Sequence, residues 1–311
     1  MTAALNAAAS GMNAFQQMMD VIGNNIANVN TTAYKSGNTI FEDLLSQTIS
    51  SGSAGGPGIG GTNPIQVGLG VKVASVYTDF SQGSLTVNGV PSNLAINGGG
   101  FFMVCANQNG PNATTPPAPI YYTRAGDFSV DSNGNLVTPN GYYLMGINQT
   151  PTSATTPAAP AATTTQPTTL TAININEITN TSAGTFPITN TTPGNYTIGP
   201  NGLVTVPNAT SGNPNNYYYI PLVNVENPNG LVKAGNSLYQ ASSATLPGGA
   251  PIYSAAGAGS AGQIQQGALE GSNVNLTSDM SNMIVAQTGY ESNSKVINTV
   301  SQMDQFMLQQ V

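Results

Sequence analysis

The sequence contains no histidine, no tryptophan and a single cysteine, Cys105. One cysteine cannot form a disulfide within the chain, and without histidine no His/Cys metal site exists. Cys105 lies in the apolar stretch "FFMVCAN", so we interpret it as a buried structural residue, because a nucleophilic cysteine would lack a histidine partner here. The sequence therefore predicts no metal site and no cofactor.

Charged residues are also scarce. They make up 5% of the 311 residues, and the 12 acidic and 5 basic residues give a formal net charge of −7. Since there is no basic stripe to neutralise phosphates, nucleic acid is not expected as a partner. A polar surface built mainly from uncharged residues has two interpretations at this point: adaptation to an acidic exterior, or a surface that is mostly buried against copies of itself.

The chain also lacks long apolar runs. No stretch reaches the roughly 18 consecutive apolar residues of a membrane-spanning helix, so no membrane insertion is predicted. The N-terminal "MTAALNAAASGMNAFQQMMD" lacks the cationic region and the compact apolar core of a secretory signal. If the protein is exported, we expect a route that does not cleave a conventional signal.

The two ends of the chain carry apolar residues at spacings of three and four, in residues 5–29 and 276–311. This spacing predicts two long helices that pair as a coiled coil. We expect Asn273 or Asn275 to cap the second helix, whose apolar spacing is interrupted near residues 293–294. The residues predicted to form the helix–helix and assembly interface are Leu5, Met12, Phe15, Met19, Ile22, Ile26, Met280, Met283, Tyr290, Ile297, Val300 and Met307.

Between the two ends, alternating apolar and polar residues predict strands, as in "VGLGVKVASVYTDF". Asn-Gly pairs, which accept the positive φ angles of tight turns, begin at positions 88, 97, 109, 133, 140, 201 and 229. The predicted fold class is α+β, with an antiparallel all-β middle domain. The predicted domains are a terminal helical domain (1–30 and 273–311), a connecting segment (31–70), a β domain (71–147 and 195–272) and a Pro/Thr-rich insertion or reduced outer domain (148–194).

Few residues offer chemistry. Arg124, Asp127 and Asp131 in "TRAGDFSVDSNG" form the closest approach to a catalytic constellation, but a turn-stabilising Arg/Asp network explains them without a substrate. We therefore predict no catalytic residues and no enzyme. A cell-surface β-rich adhesin is a more remote alternative, with the tyrosines at 217–219 as its only candidate for a sugar-binding cluster.

The end of the first predicted helix resembles a signature of the flagellar rod and hook axial proteins, in which a helix ends in Ala-Asn-x-x-Thr-x-Gly-aromatic-Lys. Further similar blocks are "SNLAINGGGFFMV", "YYTRAGDFSVDSNGNLV" and "GALEGSNVNLTSDMSNMIVAQTGYESNSKVI". Ala33 replaces the usual Gly, so we expect the chain to turn differently there. The signature residues, expected to connect an inner helical layer to an outer β layer, are Ala27, Asn28, Thr31, Tyr34 and Lys35.

The resemblance implies a structural subunit of the extracellular flagellum, most like the hook, that polymerises into a helical tube enclosing the export channel. Such a tube transmits torque as a flexible coupling. The expected partners are copies of the chain itself, the distal rod protein, the hook cap and hook–filament junction proteins, and the type III export apparatus. The alternative is a distal rod subunit of the basal body. For Lys35, we weigh an anchoring contact against a solvated surface lysine.

Overall fold

A computed structural model of the chain describes residues 2–56, 60–110, 119–149, 170–175, 196–206, 216–242 and 252–309. These residues form two compact units. The first contains Met1–Val29, Lys35–Asp79 and Val274–Val311, and the second contains Asn30–Tyr34 and Phe80–Asn273. Two terminal helices and a mainly antiparallel β middle confirm the predicted α+β class.

The first unit is built on the two helices. Its elements are α1 (Thr2–Ala27), β1 (Gly37–Asp43), β2 (Ser46–Ser50), β3 (Ile65–Gly68), β4 (Val71–Thr78) and α2 (Leu276–Gln309). The N-cap prediction for Asn275 is confirmed, because its Oδ1 accepts backbone N–H groups from Thr277 and Ser278 at 3.1 and 3.3 Å. Within the described residues, neither helix is long and apolar enough to cross a membrane.

The helices α1 and α2 pack against each other through small residues. Ala8, Ala14 and Ala286 are buried. A Cβ at Gly11 would lie 2.5 Å from Asn293 Nδ2, and a Cβ at Gly289 would lie 2.6 Å from the Phe15 ring. The interruption of the apolar spacing at Asn293 therefore does not break α2, since this amide packs where Gly11 has no side chain.

The predicted boundaries of the β domain differ from those of the structure. Strand β4, assigned to the β domain from its sequence, pairs antiparallel with β1 along its whole length, from Gly37 opposite Thr78 to Asp43 opposite Val71. Helix α1 packs on both strands. The segment 31–70, predicted to be a connection, contains the strands β1, β2 and β3. The first unit extends to Asp79, because backbone pairing with β1 holds β4 in this unit.

The second unit is a set of antiparallel pairings around one large sheet. Its main path runs β13–β14–β15–β11–β7–β8–β18–β17, with β9, β10 and β12 joined at its side, and the remaining strands pair as β16–β19, β20–β6 and β21–β5. The strands are β5 (Leu85–Val87), β6 (Leu94–Asn97), β7 (Phe102–Cys105), β8 (Ile120–Thr123), β9 (Ser129–Val130), β10 (Leu136–Val137), β11 (Tyr143–Gln149), β12 (Leu170–Ala172), β13 (Thr197–Ile198), β14 (Leu203–Val206), β15 (Asn216–Tyr219), β16 (Pro221–Asn224), β17 (Val232–Gly235), β18 (Leu238–Gln240), β19 (Ile252–Ala255), β20 (Gln263–Gln266) and β21 (Ala268–Glu270).

The large sheet has a core on both faces. Along β7, Phe102 and Val104 point into one apolar cluster, while Met103 and Cys105 point into a second. Alternate residues of a strand face opposite sides of a sheet, so this division is the expected one. The burial of Cys105 agrees with its predicted structural role.

The turn prediction for the Asn-Gly pairs is largely confirmed. The glycine has a positive φ in six of the seven pairs, and the seventh lies in a short 3-10 helix, Pro228–Gly230. The predicted insertion 148–194 lies mostly outside the described residues. Its described margins belong to the sheet, because Ile147 pairs with Leu170 and Asn148 pairs with Tyr218.

The helix packing can be tested with two glycines of the first unit. Gly289→Val would force a branched side chain against the Phe15 ring, and overpacking of this kind costs about 1–3 kcal/mol. As the matched control, Gly23→Ala on α1 meets nothing within 4 Å, so the change is expected to stabilise the unit by about 1 kcal/mol. Urea unfolding followed by far-ultraviolet circular dichroism measures both. Equal unfolding midpoints for the two variants would contradict the packing described.

Candidate assembly interface

The predicted interface residues divide into three groups by exposure. Ile22 and Val300 are buried. Met12, Phe15, Met19, Ile26, Met283 and Ile297 are half-buried, whereas Leu5, Met280, Tyr290 and Met307 are exposed. The half-buried and exposed positions leave apolar surface that the single chain does not cover.

Helix α2 carries most of this uncovered surface. Only Asp279, Ala286 and Val300 are buried among the described side chains of its 34 residues. Met280 and Val285 are five positions apart, which places them on different sides of the helix, and both are exposed. A helix that is apolar on several sides is normally buried all round. The exposed apolar residues of α2 are Leu276, Met280, Ile284, Val285, Tyr290, Val296, Met303, Phe306, Met307 and Leu308.

The β2–β3 hairpin adds a second uncovered surface in the same unit. Ile49 and Ile65 are exposed, and Leu45 just before the hairpin is 87% exposed. Strands β2 and β3 pair only with each other among the described strands. An isolated two-stranded hairpin is marginally stable in water, so a covering surface is expected to stabilise it.

The signature segment begins where α1 ends. After Ala27, the side-chain amide of Asn28 donates to the Asn24 carbonyl oxygen at 2.9 Å and to Asn24 Oδ1 at 2.7 Å. The same carbonyl oxygen also accepts the Asn28 backbone N–H at 3.2 Å, so the side-chain amide adds a second hydrogen bond at the end of α1. In the same unit, buried Asn25 donates to the Gly37 carbonyl and accepts the Gly37 N–H, both at 2.9 Å.

The expectation that the chain turns differently at Ala33 is wrong. Its φ is +53°, so the chain keeps the left-handed turn that Gly would make, and the side chain is fully buried. Within the second unit, the Ala33 N–H donates to the Glu270 carbonyl at 2.9 Å, and the Tyr34 carbonyl accepts from Asn273 N–H at 3.3 Å. These backbone bonds hold the left-handed conformation despite its steric cost.

Tyr34 is half-buried and Lys35 is buried. Lys233 Nζ lies 5.4 Å from the centre of the Tyr34 ring, in cation–π range. Burial lowers the pKa of Lys233. Lys35 is fully buried, so the alternative of a solvated surface lysine is wrong. The carbonyl of Thr31, an exposed residue in the middle of the segment, accepts the Tyr34 N–H at 3.3 Å.

Arg124 does not join the predicted Arg/Asp network. It pairs instead with Glu270, Nη1 to Oε2 at 3.3 Å, with both side chains buried. Its guanidinium also lies 5.5 Å from the Phe101 ring centre. The second oxygen of Glu270 accepts the Gly83 N–H at 3.0 Å. Sequence reasoning missed Glu270 because 146 positions separate it from Arg124.

The two aspartates near Arg124 have separate structural environments. Asp131 Oδ1 accepts the N–H groups of Asn133 and Asn135 at 2.9 and 2.7 Å, which closes a turn. Burial alone would raise the Asp131 pKa, but a hydrogen bond from the Asn135 side-chain amide at 3.0 Å, together with these backbone bonds, outweighs it and the pKa is lowered. Burial raises the pKa of Asp127. Within the described ranges, no group of three or more acidic or cysteine side chains is placed to hold a metal ion.

Of the tyrosines at 217–219, the side chain of Tyr217 lies outside the described structure, and the other two are packed inside the second unit. Tyr218 and Tyr219 are buried in the core of the second unit, on strand β15. Burial raises the pKa of both hydroxyls. Tyr218 and Tyr219 therefore have a strand-packing role.

The turn at Ala33 yields a prediction with opposing contributions. Ala33→Gly relieves about 1–2 kcal/mol of left-handed strain. The variant also loses about 0.8 kcal/mol of stability because a buried methyl group is removed. It loses about 0.4–1 kcal/mol more because glycine gives the unfolded chain more conformational freedom. The free energy of unfolding should change by less than about 1 kcal/mol, whereas Ala33→Val should lose more than about 2 kcal/mol, because a β-branched residue resists positive φ. Similar stability for the two variants in urea unfolding would refute this account.

Asp279 yields a pH prediction for the first unit. One of its carboxylate oxygens is buried without a hydrogen-bond partner in the described structure. Burial raises the Asp279 pKa, and a hydrogen bond with Asn25 offsets only part of this. The folded state therefore holds the proton more tightly than the unfolded state, so this group lowers stability as pH rises above the unfolded pKa of about 4.

Asp279→Asn should therefore raise the urea midpoint at neutral pH and leave it unchanged in acid, where wild-type Asp279 is already protonated. Asp304→Asn, at an exposed position of the same helix, is the control for loss of one charge. An equal gain from both variants at neutral pH would show that the burial of Asp279 is not the cause.

Three families of flagellar proteins match the chain. Residues 5–35 match the flagella basal body rod protein family, residues 95–206 the flagellar hook protein FlgE/F/G D1 domain, and residues 265–310 the C-terminal region of the flagellar basal body rod FlgEFG proteins. The matched ranges include the signature segment, part of the large sheet and all of α2.

The individual relatives differ in the share of their own length that aligns with this chain. The flagellar basal-body rod protein FlgG of Bacillus subtilis is 36% identical over 290 residues, 93% of this chain and 92% of that protein. FlgG of Borreliella burgdorferi is 34% identical over 97% of this chain and 96% of that protein. The flagellar hook protein FlgE of Treponema pallidum is 44% identical over 130 residues, but these are 42% of this chain and 26% of that protein. The chain is therefore a member of the flagellar rod and hook family of axial structural proteins.

Proposed function

We propose that this chain is a subunit of the distal rod of the flagellar basal body, which polymerises into a helical tube around the export channel. The observation that carries this proposal is coverage: the rod relatives align over nearly their entire length, whereas the hook relatives align over 26–29% of theirs. The expectation of a hook subunit is thereby replaced by its alternative. No catalytic role is part of this proposal.

The uncovered apolar residues of α2 support self-assembly. Burying apolar surface stabilises by about 25 cal/mol per Å², so exposed residues such as Ile284 and Phe306 favour contact with a second copy. When the contacting surfaces differ on the two copies and do not close into a ring, they generate an open helical assembly. The other proposed partners are neighbouring axial proteins and the type III export apparatus.

Electron microscopy of the purified chain tests the proposal directly. A distal rod subunit is expected to form straight, rigid tubes. Curved tubes would favour the hook, for which the 44% identity of the hook matches is the supporting observation. Monodisperse particles under every assembly condition would contradict both.

Exposed apolar residues of α2 provide a prediction about the tube contacts. Ile284→Asn combined with Phe306→Asn is expected to abolish tubes, because both side chains are exposed in the single chain and would be buried on assembly. The matched control is Gln287→Asn, an exposed position on the same helix that is already polar. Circular dichroism verifies that each variant keeps its helices. Normal tubes from the double variant would exclude α2 from the subunit contacts.

A further inference from the structure

The second unit contains a cleft that the proposed helix contacts do not use. Its volume is about 360 Å³, within the usual range for binding sites. The signature segment forms one wall, with Asn30 and Thr32, and Asn140 and Asn236 come from two different turns. Asp127 is the only charged residue that lines it.

Buried hydroxyl groups fix the frame of the cleft. The Thr123 hydroxyl donates to the Ser237 carbonyl at 2.9 Å and accepts the Ala125 N–H at 3.0 Å. On another wall, the Thr138 hydroxyl accepts the Tyr142 N–H at 3.1 Å. Because these threonines are buried and bonded to backbone, they hold the turns that line the cleft in place.

Two residues of the lining are held in an unfavourable backbone conformation. Asn236 and Ser237 have φ of +54° and +57°, in the turn between β17 and β18. Gly is the usual residue at the second position of such a turn, and Ser there costs stability while it places a hydroxyl on the cleft. Non-glycine residues at positive φ are concentrated at functional sites.

The chemistry of the lining selects the ligand. The side chains of Asn30, Thr32, Asn140, Asn236 and Ser237 make no hydrogen bond to other described residues. Amides and hydroxyls both donate and accept, which suits a peptide backbone with uncharged side chains. Within the described lining no cation is present to bind phosphate or carboxylate groups, and no aromatic ring is present to stack on a sugar.

We propose that this cleft binds an uncharged peptide segment of a second copy of the chain. Only 5% of this sequence is charged, so its own polar loops match the lining. A cleft on one copy and a loop on the next are different surfaces, which gives the heterologous contact that an open assembly needs. The inference rests on the proposed self-assembly and assigns a specific contact to it.

The first test introduces negative charge with almost no change in shape. Asn140→Asp combined with Asn236→Asp places two carboxylates beside Asp127, and Asp tolerates the positive φ at 236. The critical concentration for assembly should rise at least about tenfold, since the two added carboxylates, exposed in the free chain, would lose their hydration beneath an uncharged segment. The control, Asn88→Asp, lies outside the cleft and keeps its oxygen contact to the Val90 N–H, so it should assemble as the wild type does.

The second test identifies what enters the cleft. Because Cys105 is buried, Asn140→Cys supplies an accessible thiol for a benzophenone-maleimide cross-linker. Irradiation of assembled protein should give covalent dimers, and mass spectrometry should place the link in an uncharged segment of the second copy. The same label at Asn88→Cys should give few dimers.

The outcomes separate the two proposals. If wild-type chain forms tubes but the double Asp variant assembles at the same concentration as Asn88→Asp, the cleft proposal fails and the rod proposal stands. Assembled protein that gives no dimers through position 140 also overturns the cleft proposal. If the wild-type chain never assembles, both proposals fail. Binding of oligosaccharides by the monomer, abolished by the double Asp variant, would replace the second copy with a sugar.

Discussion

The proposed assembly of this chain depends on the apolar surface that α2 leaves exposed in a single copy. The helix has 34 residues, and very few of its described side chains are buried. Its contact with α1 is made through small residues, which brings the helix backbones close but buries little of the remaining circumference. A single chain therefore leaves Ile284 and Phe306 in water, and contact with further copies is the direct way to remove them.

The second unit has the opposite character. Both faces of its large sheet are covered by apolar clusters, and buried Arg124 and Glu270 connect distant parts of the chain. The described residues of this unit therefore form a core of their own. We infer that its outer surface contributes selective contacts, such as the proposed cleft, rather than the main driving force. Few charges would keep those contacts free of strong ion pairs.

Local patterns in the sequence predicted the elements well. The apolar spacing predicted α1 to within three residues at either end, Asn275 was one of the two N-cap candidates, and the Asn-Gly pairs identified most of the tight turns. Each of these signals is contained in a few neighbouring residues, so tertiary structure did not override it.

Features that depend on distant residues were not predictable in the same way. Nothing near Arg124 indicates Glu270 as its partner, and Gly11 shows no sign that it accommodates Asn293. Ala33 was expected to change the turn, but backbone bonds to the second unit's last strand retain it. The pairing of β1 with β4, which moved the domain boundary, also joins segments that look independent in the sequence.

The most direct test of the central claim is hydrogen exchange of α2 in the free chain and in assembled tubes. We expect amides of residues 280–308 to become strongly protected on assembly, because neighbouring copies would cover the apolar surface that the free chain exposes. The buried strands β7 and β11 should show little change, since their core is complete in one copy. Equal protection of α2 in both states would contradict the account, because assembly would then leave this helix as exposed as it is in the free chain.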